Sequence, residues 1–154
     1  MSSAIIAVDF DGTCVEHEYP RIGADVPGAV EVLKWIVEHD AKIILWTMRS
    51  DPENMAALAP LVARARETGE SQSHELHLTQ ACRWFDARGI PLWGVNRNPA
   101  QGSWSSSPKA YAQVYIDDAA LGCPLMTPRC PGGRPTVNWP AVKAMLQERY
   151  GWAE

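Results

Sequence analysis

The sequence lacks any apolar stretch long enough to cross a bilayer. It also lacks the cationic N-terminal segment and apolar run of a signal peptide, because its first apolar run, residues 4–8 (AIIAV), ends abruptly in Asp9. Basic residues are few: 14 Lys and Arg stand against 18 Asp and Glu, for a formal net charge of -4. Proteins that rely on nucleic acid usually cluster Lys and Arg. We therefore expect a soluble, cytoplasmic protein with no membrane partner, for which nucleic acid is not the favoured ligand.

Cysteine is scarce and is not arranged in pairs. The four cysteines have none of the C-x-x-C spacing of a zinc site, so we expect them to remain thiols; they are Cys14, Cys82, Cys123 and Cys130. The 154 residues, 46% of them hydrophobic, are enough for one core. We predict a single domain over residues 1–154.

Short apolar runs alternate with segments of helical periodicity. The predicted strands are residues 4–8, 43–46, 90–95 and 114–116. The predicted helices are residues 27–39 with Asp25 as a cap, a segment starting at Ser50 or Asp51, a segment through Leu78 and Phe85 that ends at Gly89, and residues 140–150. Loops are expected at residues 96–108 and 123–135. The alternation predicts an α/β fold with three α/β/α layers and a mainly parallel, Rossmann-like sheet.

Polar side chains follow three of the predicted strands. Asp9 comes after the first strand, Thr47 after the second, and Asp117 and Asp118 after the fourth. Ligands of such sheets bind beyond the carboxyl ends of the strands, so one shared site is expected there. Clustered carboxylates require a compensating cation, and oxygen-only ligands favour Mg²⁺ with a phosphate group. Thr47 can donate to a phosphoryl oxygen, and Lys109 can supply positive charge.

These residues resemble the motifs of the haloacid dehalogenase (HAD) superfamily. The stretch DFDGT at residues 9–13 looks like motif I, Thr47 after IILW like motif II, Lys109 like motif III, and the acidic pair of YIDD at residues 115–118 like motif IV. The four motifs span residues 5–118. The DxD and DD elements are specific in this context, whereas Thr47 and Lys109 would be weak alone.

The resemblance implies a mechanism. Asp9 would attack phosphorus and form an aspartyl-phosphate, and Asp11 would protonate the leaving group and then activate water. Mg²⁺ would be bound by Asp9, by the main-chain carbonyl of Asp11 and by motif IV, with Asp117 the favoured direct ligand and Asp118 acting through water or by orienting its neighbours. Phosphate binding is assigned to Thr47, Lys109 and Gly12.

The resemblance also implies a small, cap-less HAD-type domain, since only about one helix fits between Thr13 and the second strand and no α+β cap fits between Thr47 and Lys109. An open crevice of this kind suits a bulky substrate, or a small one covered by another subunit in a homo-oligomer. The candidate substrate contacts are Arg49, His17, Asn96 and Arg97.

The leading hypothesis is a Mg²⁺-dependent phosphomonoesterase that acts on a small phosphorylated metabolite or a nucleotide. A phosphatase for nucleic-acid or polysaccharide ends is an alternative, favoured by the open site and disfavoured by the charge. A phospho-accepting switch or a non-catalytic phosphate-binding module is another, since receiver domains combine an acidic pair, a Thr and a Lys on an α/β sheet.

Overall fold

The computed structural model describes residues 3–52 and 76–154, together with residue 67. Strands and helices alternate from residue 5 to residue 95 and are followed, within these ranges, by a 3₁₀ turn, three strands and a last helix. In chain order the elements are β1 (Ile5–Val8), α1 (Ala29–Glu38), β2 (Lys42–Leu45), α2 (His77–Ala87), β3 (Gly94–Val95), a 3₁₀ turn (Gln101–Ser103), β4 (Val114–Ile116), β5 (Leu125–Met126), β6 (Thr136–Val137) and α3 (Trp139–Tyr150).

The main sheet has four strands in the order β3-β2-β1-β4, and every neighbouring pair is parallel. In its register, Val8 lies between Leu45 and Ile116. The carboxyl ends of β1, β2 and β4 therefore lie side by side at the same edge of the sheet. This confirms the predicted α/β class with a mainly parallel, Rossmann-like sheet.

The core lies mainly on one face of this sheet. Alternate residues of the two central strands pack in one cluster with the buried residues of the three described helices. These strand residues are Ile6, Val8, Ile43 and Leu45. Their neighbours Ala7 and Ile44 point to the opposite face because side chains alternate along a strand. There they contact a smaller cluster that includes partly buried aromatic residues: Trp46, Trp93 and Tyr115.

One predicted helix start differs in the structure, and another lies outside the described residues. Asp25 does not cap α1, which begins after Gly28 without a side-chain cap; its carboxylate instead accepts hydrogen bonds from Trp84 and Arg88. Asp51 accepts from the main-chain amides of Leu78 and Thr79, in the first turn of α2, at 2.9 and 3.1 Å. The helix predicted to follow Ser50 or Asp51 lies, beyond residue 52, outside the described ranges.

The lengths of two other segments also differ from prediction. The strand expected at residues 90–95 is reduced to β3, because Pro91 has no amide proton and the amide of Ile90 donates to Phe85 at the end of α2. Residues 123–135, expected to be irregular, contain β5, which pairs antiparallel with β6. The amide of Val137 in β6 also donates to the carbonyl of Gly12, which ties this small sheet to the loop after β1.

The four cysteines are free thiols, as expected. Within the described ranges, no helix combines the length and apolar character that a membrane crossing requires.

Trp139 holds the loop after β1 through a buried hydrogen bond. It is fully buried, and its indole N–H donates to the main-chain oxygen of Thr13 at 2.7 Å. A buried carbonyl that loses its donor costs stability, so this contact fixes the loop that carries Asp9 and Asp11.

Trp139→Phe should therefore lower the free energy of unfolding by about 1–3 kcal/mol, because it leaves the Thr13 carbonyl without its donor. Chemical denaturation measures this difference. Trp104→Phe is the matched control, because Trp104 is 63% exposed and its loss should change stability by less than about 0.5 kcal/mol. Equal effects of the two substitutions would contradict the supporting role of Trp139.

Candidate active site at the carboxyl end of the sheet

Three carboxylates meet where β1 and β4 end. Asp9 directly follows β1, and Asp117 and Asp118 directly follow β4. Because these strands are neighbours in register, one oxygen of each carboxylate lies within 4.8 Å of the others. We call these three residues the acidic cluster. It brings together three of the residues predicted from sequence.

Ionisation of all three carboxylates of the acidic cluster at once is unfavourable. Burial, followed by the nearby charge of Asp117, raises the pKa of Asp9 from 3.8 to about 8; a hydrogen bond with Asp118 adds to this rise, and the Phe10 amide and the Thr13 hydroxyl oppose it. Without a cation, the protonated form of Asp9 is therefore favoured.

Thr13 joins two members of the acidic cluster. Its buried hydroxyl donates to Asp9 at 3.0 Å and accepts from the main-chain amide of Asp118 at 3.3 Å. Sequence reasoning assigned no role to Thr13, although it stands in DFDGT. Its position four residues after Asp9, in a tight turn, was the available indication.

Gly12 has a structural role that differs from the predicted phosphate contact. Its amide donates to the carbonyl of Val15 at 2.7 Å, so this N–H is already used. Its φ is +82°, and a Cβ at this position would collide with the imidazole of His17 and come 2.7 Å from an oxygen of Asp118. Gly12 therefore allows His17 to approach the acidic cluster, where its Nε2 lies 3.2 Å from Asp118.

Cys14 lies beside Asp9 but is not a competing nucleophile. Its Sγ donates to the main-chain oxygen of Asp9 at 3.4 Å. Complete burial, helped by the charges of Asp9 and Asp11, raises the pKa of this thiol well above its usual range. The reactive thiolate form is therefore disfavoured.

Asp11 is not a member of the acidic cluster and instead forms a salt bridge with Arg49. Arg49 Nε donates to Oδ2 and Arg49 NH2 donates to Oδ1, both at 2.7 Å, so the guanidinium holds both carboxylate oxygens. The Arg49 side chain is 1% exposed and that of Asp11 is 19% exposed. A bidentate pair of this kind is among the strongest hydrogen-bonded contacts in proteins.

Arg49 also holds the loop at residues 16–24, which follows DFDGT. Its guanidinium donates to the carbonyls of Pro20 at 3.1 Å and Arg21 at 2.9 Å. Its central carbon lies 5.2 Å from the ring centroid of Phe10 and 5.1 Å from that of Tyr19. Sequence reasoning proposed Arg49 as a substrate contact; in the structure it is buried and engaged by the protein itself.

The turn after β2 presents Thr47. The Asn96 side chain accepts from the amide of Thr47 at 2.8 Å, and the Thr47 hydroxyl oxygen accepts from the amide of Arg49 at 3.1 Å. As an acceptor in this turn, the hydroxyl retains its own proton for donation. Asn96, predicted as a substrate contact, therefore orients Thr47 and also borders the crevice.

An open crevice of about 300 Å³ lies above the carboxyl ends of the strands. Two carboxylates of the acidic cluster, the turn after β2 and apolar side chains line this crevice. The lining residues are Asp9, Trp46, Thr47, Met48, Asn96 and Asp117.

A second cavity, of about 150 Å³, lies between residues 16–18 and the segment that joins β5 to β6. His17 belongs both to its lining and to the contacts of the acidic cluster. Arg129 and Arg134, from the segment predicted to be irregular, lie in the lining as well.

Two predicted site residues lie away from the acidic cluster. Lys109 is exposed, its ammonium group is 5.5 Å from the ring centroid of Tyr115, and it forms no ion pair within the described part of the chain. Arg97 is also exposed and borders a separate groove with Asn98 and residues 105–108. Among the described residues, neither cation pairs with Asp9, and neither lines the crevice that Asp9 borders.

The Arg49–Asp11 pair should matter for stability far more than an exposed pair of the same geometry. Arg49→Met should lower the free energy of unfolding by about 3–5 kcal/mol, because it leaves a poorly exposed carboxylate without its partner. Arg88→Met is the matched control: Arg88 also binds both oxygens of an aspartate, Asp25, but the two side chains are 30% and 42% exposed. Its loss should cost less than about 1 kcal/mol in the same urea titration.

The raised pKa of Asp9 predicts a pH dependence of stability in the presence of chelator. Between about pH 4 and pH 8 the folded protein retains a proton on Asp9 that the unfolded chain has lost. Stability should therefore fall as pH rises through this window, by the order of 1 kcal/mol per pH unit from this group. Asp9→Asn removes the effect, so the free energy of unfolding of the mutant should rise relative to that of the wild type between pH 5 and pH 8. Parallel stability profiles of the two proteins would contradict the assigned shift.

No protein-family model matches the chain, and no curated protein does. A solved structure does match: it is the structure of a conserved protein coded by a locus from Bacteroides thetaiotaomicron. The two chains are 31% identical over 96% of this chain and 93% of the other, with a TM-score of 0.64. At this identity over nearly the whole of both chains, the protein belongs to the same family as that conserved Bacteroides protein.

Proposed function

We propose that the protein is a Mg²⁺-dependent phosphohydrolase that transfers a phosphoryl group to Asp9 and then to water. The observation that carries this proposal is the acidic cluster: three carboxylates within 4.8 Å of one another, bordering an open crevice. The resemblance of DFDGT and YIDD to HAD motifs I and IV agrees with it.

The donor atoms of the acidic cluster fit a hard divalent cation. All three are carboxylate oxygens, the ligand type that Mg²⁺ prefers, and a cation would remove the repulsion that keeps Asp9 protonated. Asp9 and Asp117 border the crevice, so they would be direct ligands. Asp118 contacts Thr13 and His17 and would orient the site. The ion would supply charge neutralisation for a bound phosphoryl group.

The protein's own groups would then position the reaction. Ionised Asp9 attacks phosphorus, and the bond to the leaving oxygen breaks. Thr13 directs one oxygen of Asp9 through its hydroxyl, which leaves the other oxygen as the attacking atom. Thr47 donates its free hydroxyl proton to an equatorial phosphoryl oxygen. Water then attacks the aspartyl-phosphate and regenerates Asp9.

The crevice favours a substrate with a flat or apolar part. Met48 is 97% exposed beside Thr47, and Trp46 borders the same crevice. A nucleotide base or another ring could lie against these side chains while its phosphate reaches Asp9. We therefore propose a small phosphorylated metabolite or a nucleotide as the substrate, in preference to a polymer end.

Asp9→Asn tests the proposal. Wild-type protein should release phosphate from 4-nitrophenyl phosphate in Mg²⁺ and lose that activity in chelator. The mutant should lose activity by about 10⁴-fold or more, because an amide cannot serve as the nucleophile. Asp86→Asn is the matched control, because Asp86 is exposed on α2 and its loss should leave the rate unchanged.

A second measurement separates the proposal from its alternatives. Mass spectrometry of rapidly quenched wild type should find phosphate on Asp9 only transiently. A long-lived phosphorylated Asp9 without turnover would support a phospho-accepting switch instead. Absence of both turnover and phosphorylation with aryl, acyl and nucleotide phosphates would overturn the enzyme proposal.

A further inference from the structure

The strand β4 is an edge strand of the described sheet, and the main chain of Tyr115 faces its outer side. The carbonyl of Ile116 accepts from the amide of Asp9 at 2.9 Å and therefore points toward β1. Because the main-chain groups of successive strand residues point to opposite sides, the N–H and C=O of Tyr115 point away from β1. An edge that presents such groups is a template for pairing with another strand.

The main-chain carbonyls on either side of Tyr115 along this edge already have partners. The carbonyl of Gln113 accepts from the guanidinium of Arg149 at 3.3 Å. The carbonyl of Asp117 accepts from the amide of Ala120 at 3.0 Å. A second strand can therefore pair fully with this edge only at Tyr115.

A second copy of β4 fits this restriction. In an antiparallel pair, two residues that lie directly opposite each other exchange both of their N–H···O bonds. A two-fold axis between the Tyr115 residues of two copies would satisfy the outward N–H and C=O of both. A shift of the register by two residues would instead place Tyr115 opposite Gln113 or Asp117, whose carbonyls are engaged.

An apolar groove of about 240 Å³ runs along the same edge, between β4 and α3. Its lining includes Leu121, which is fully exposed, and Met145, which is 53% exposed. The helix α3 packs on the core face of the sheet through Val142 and Leu146. The two-fold axis would place the α3 helices of both copies on the same face of one continuous sheet, so the two grooves would adjoin and cover each other's apolar side chains.

The charges along this edge are complementary under the same two-fold axis. The exposed Arg149 lies at Gln113, before the start of β4, whereas Asp117 and Asp118 follow its end. In the antiparallel pair, residue 113 of one copy lies opposite residue 117 of the other. Each Arg149 would therefore lie beside the acidic end of the other copy's β4.

We propose that the protein forms a homodimer by antiparallel pairing of β4 about Tyr115, with the groove and Arg149 of each copy packed against the other. The occupant of this surface is a second copy because its hydrogen-bonding groups and its charges are both self-complementary. Each copy supplies a cation to the end of the strand from which the other copy's acidic cluster extends. The hydrogen bonds and apolar contacts of the dimer lie outside the crevice, so association and phosphohydrolase activity can be measured separately.

Light scattering after gel filtration, at about 1–100 µM protein, tests the association. The wild type should reach a mass of twice the 17.0 kDa of one chain as its concentration rises. Met145→Asp should weaken association by at least about tenfold, because a carboxylate would enter an apolar contact. Trp104→Asp is the matched control: Trp104 is also exposed, at 63%, but does not line the groove, so association should be unchanged.

A charge reversal tests the register by a different route. Arg149→Glu should weaken association by at least about tenfold, because it places like charges beside Asp117 and Asp118 of the other copy. Arg149→Lys should retain most of the association. Arg83→Glu is the matched control, because Arg83 is exposed on α2 and its reversal should leave association unchanged. Met145→Asp remains decisive should Arg149→Glu fail to fold.

Hydrogen exchange of single amides tests the strand pairing itself. The Tyr115 amide should exchange at least about tenfold more slowly in the wild-type dimer than in Met145→Asp. The Ile116 amide points toward β1 in both proteins and is the internal control, with similar exchange in the two.

Three outcomes would overturn the dimer. The first is a wild type that stays monomeric at about 100 µM. The second is a dimer that neither Met145→Asp nor Arg149→Glu dissociates, since it would use another surface. The third is a dimer in which the Tyr115 amide gains no protection. A monomeric wild type that still releases phosphate from 4-nitrophenyl phosphate would overturn the dimer alone and leave the proposed function intact.

Discussion

The division of negative charge among four aspartates is the constraint on which the candidate site depends. Asp11 is paired with the buried Arg49, whereas in the described part of the chain the only basic side chain that pairs with the acidic cluster is His17, whose Nε2 lies 3.2 Å from Asp118. The two aspartates of DFDGT therefore have different surroundings, although they are two residues apart. Arg49 binds both oxygens of Asp11, whereas burial and the nearby charge of Asp117 raise the pKa of Asp9.

This division follows from the geometry of the chain after β1. Asp9 points to the edge where β1 and β4 end, and the turn at Gly12 returns the backbone so that Thr13 can hold both Asp9 and Asp118. Asp11 is bound instead by Arg49, which lies beyond the end of β2. Trp139 holds this loop in place by donating a hydrogen bond to the carbonyl of Thr13. The loop thus separates two carboxylates that sequence alone would group together.

The positions of the strand-end residues could be predicted because they depend on regular features. Asp9 and Asp117 follow apolar runs of the type found in parallel strands, and parallel strands in register place their following residues together. The structure confirms the parallel α/β sheet and brings both residues into one crevice. Thr47 was placed by the same reasoning, and it borders that crevice.

The remaining features depend on side-chain directions in irregular backbone, which periodicity does not encode. Nothing in LWTMRS indicates that Arg49 turns inward to Asp11 while Met48 is exposed. Residues 123–135 contain one strand of an antiparallel pair, formed by two-residue strands that are too short to produce a pattern. Lys109 was assigned by motif order alone, and in the structure it lies over Tyr115.

Arg49 also links the position of Asp11 to the loop at residues 16–24, which follows DFDGT. The same guanidinium that binds Asp11 donates to the carbonyls of Pro20 and Arg21, and it lies near the rings of Phe10 and Tyr19. A movement of Arg49 away from Asp11 would therefore also disturb the contacts that hold this loop, so the two changes are coupled. One buried salt bridge thus fixes both the orientation of the Asp11 carboxylate and the position of the loop.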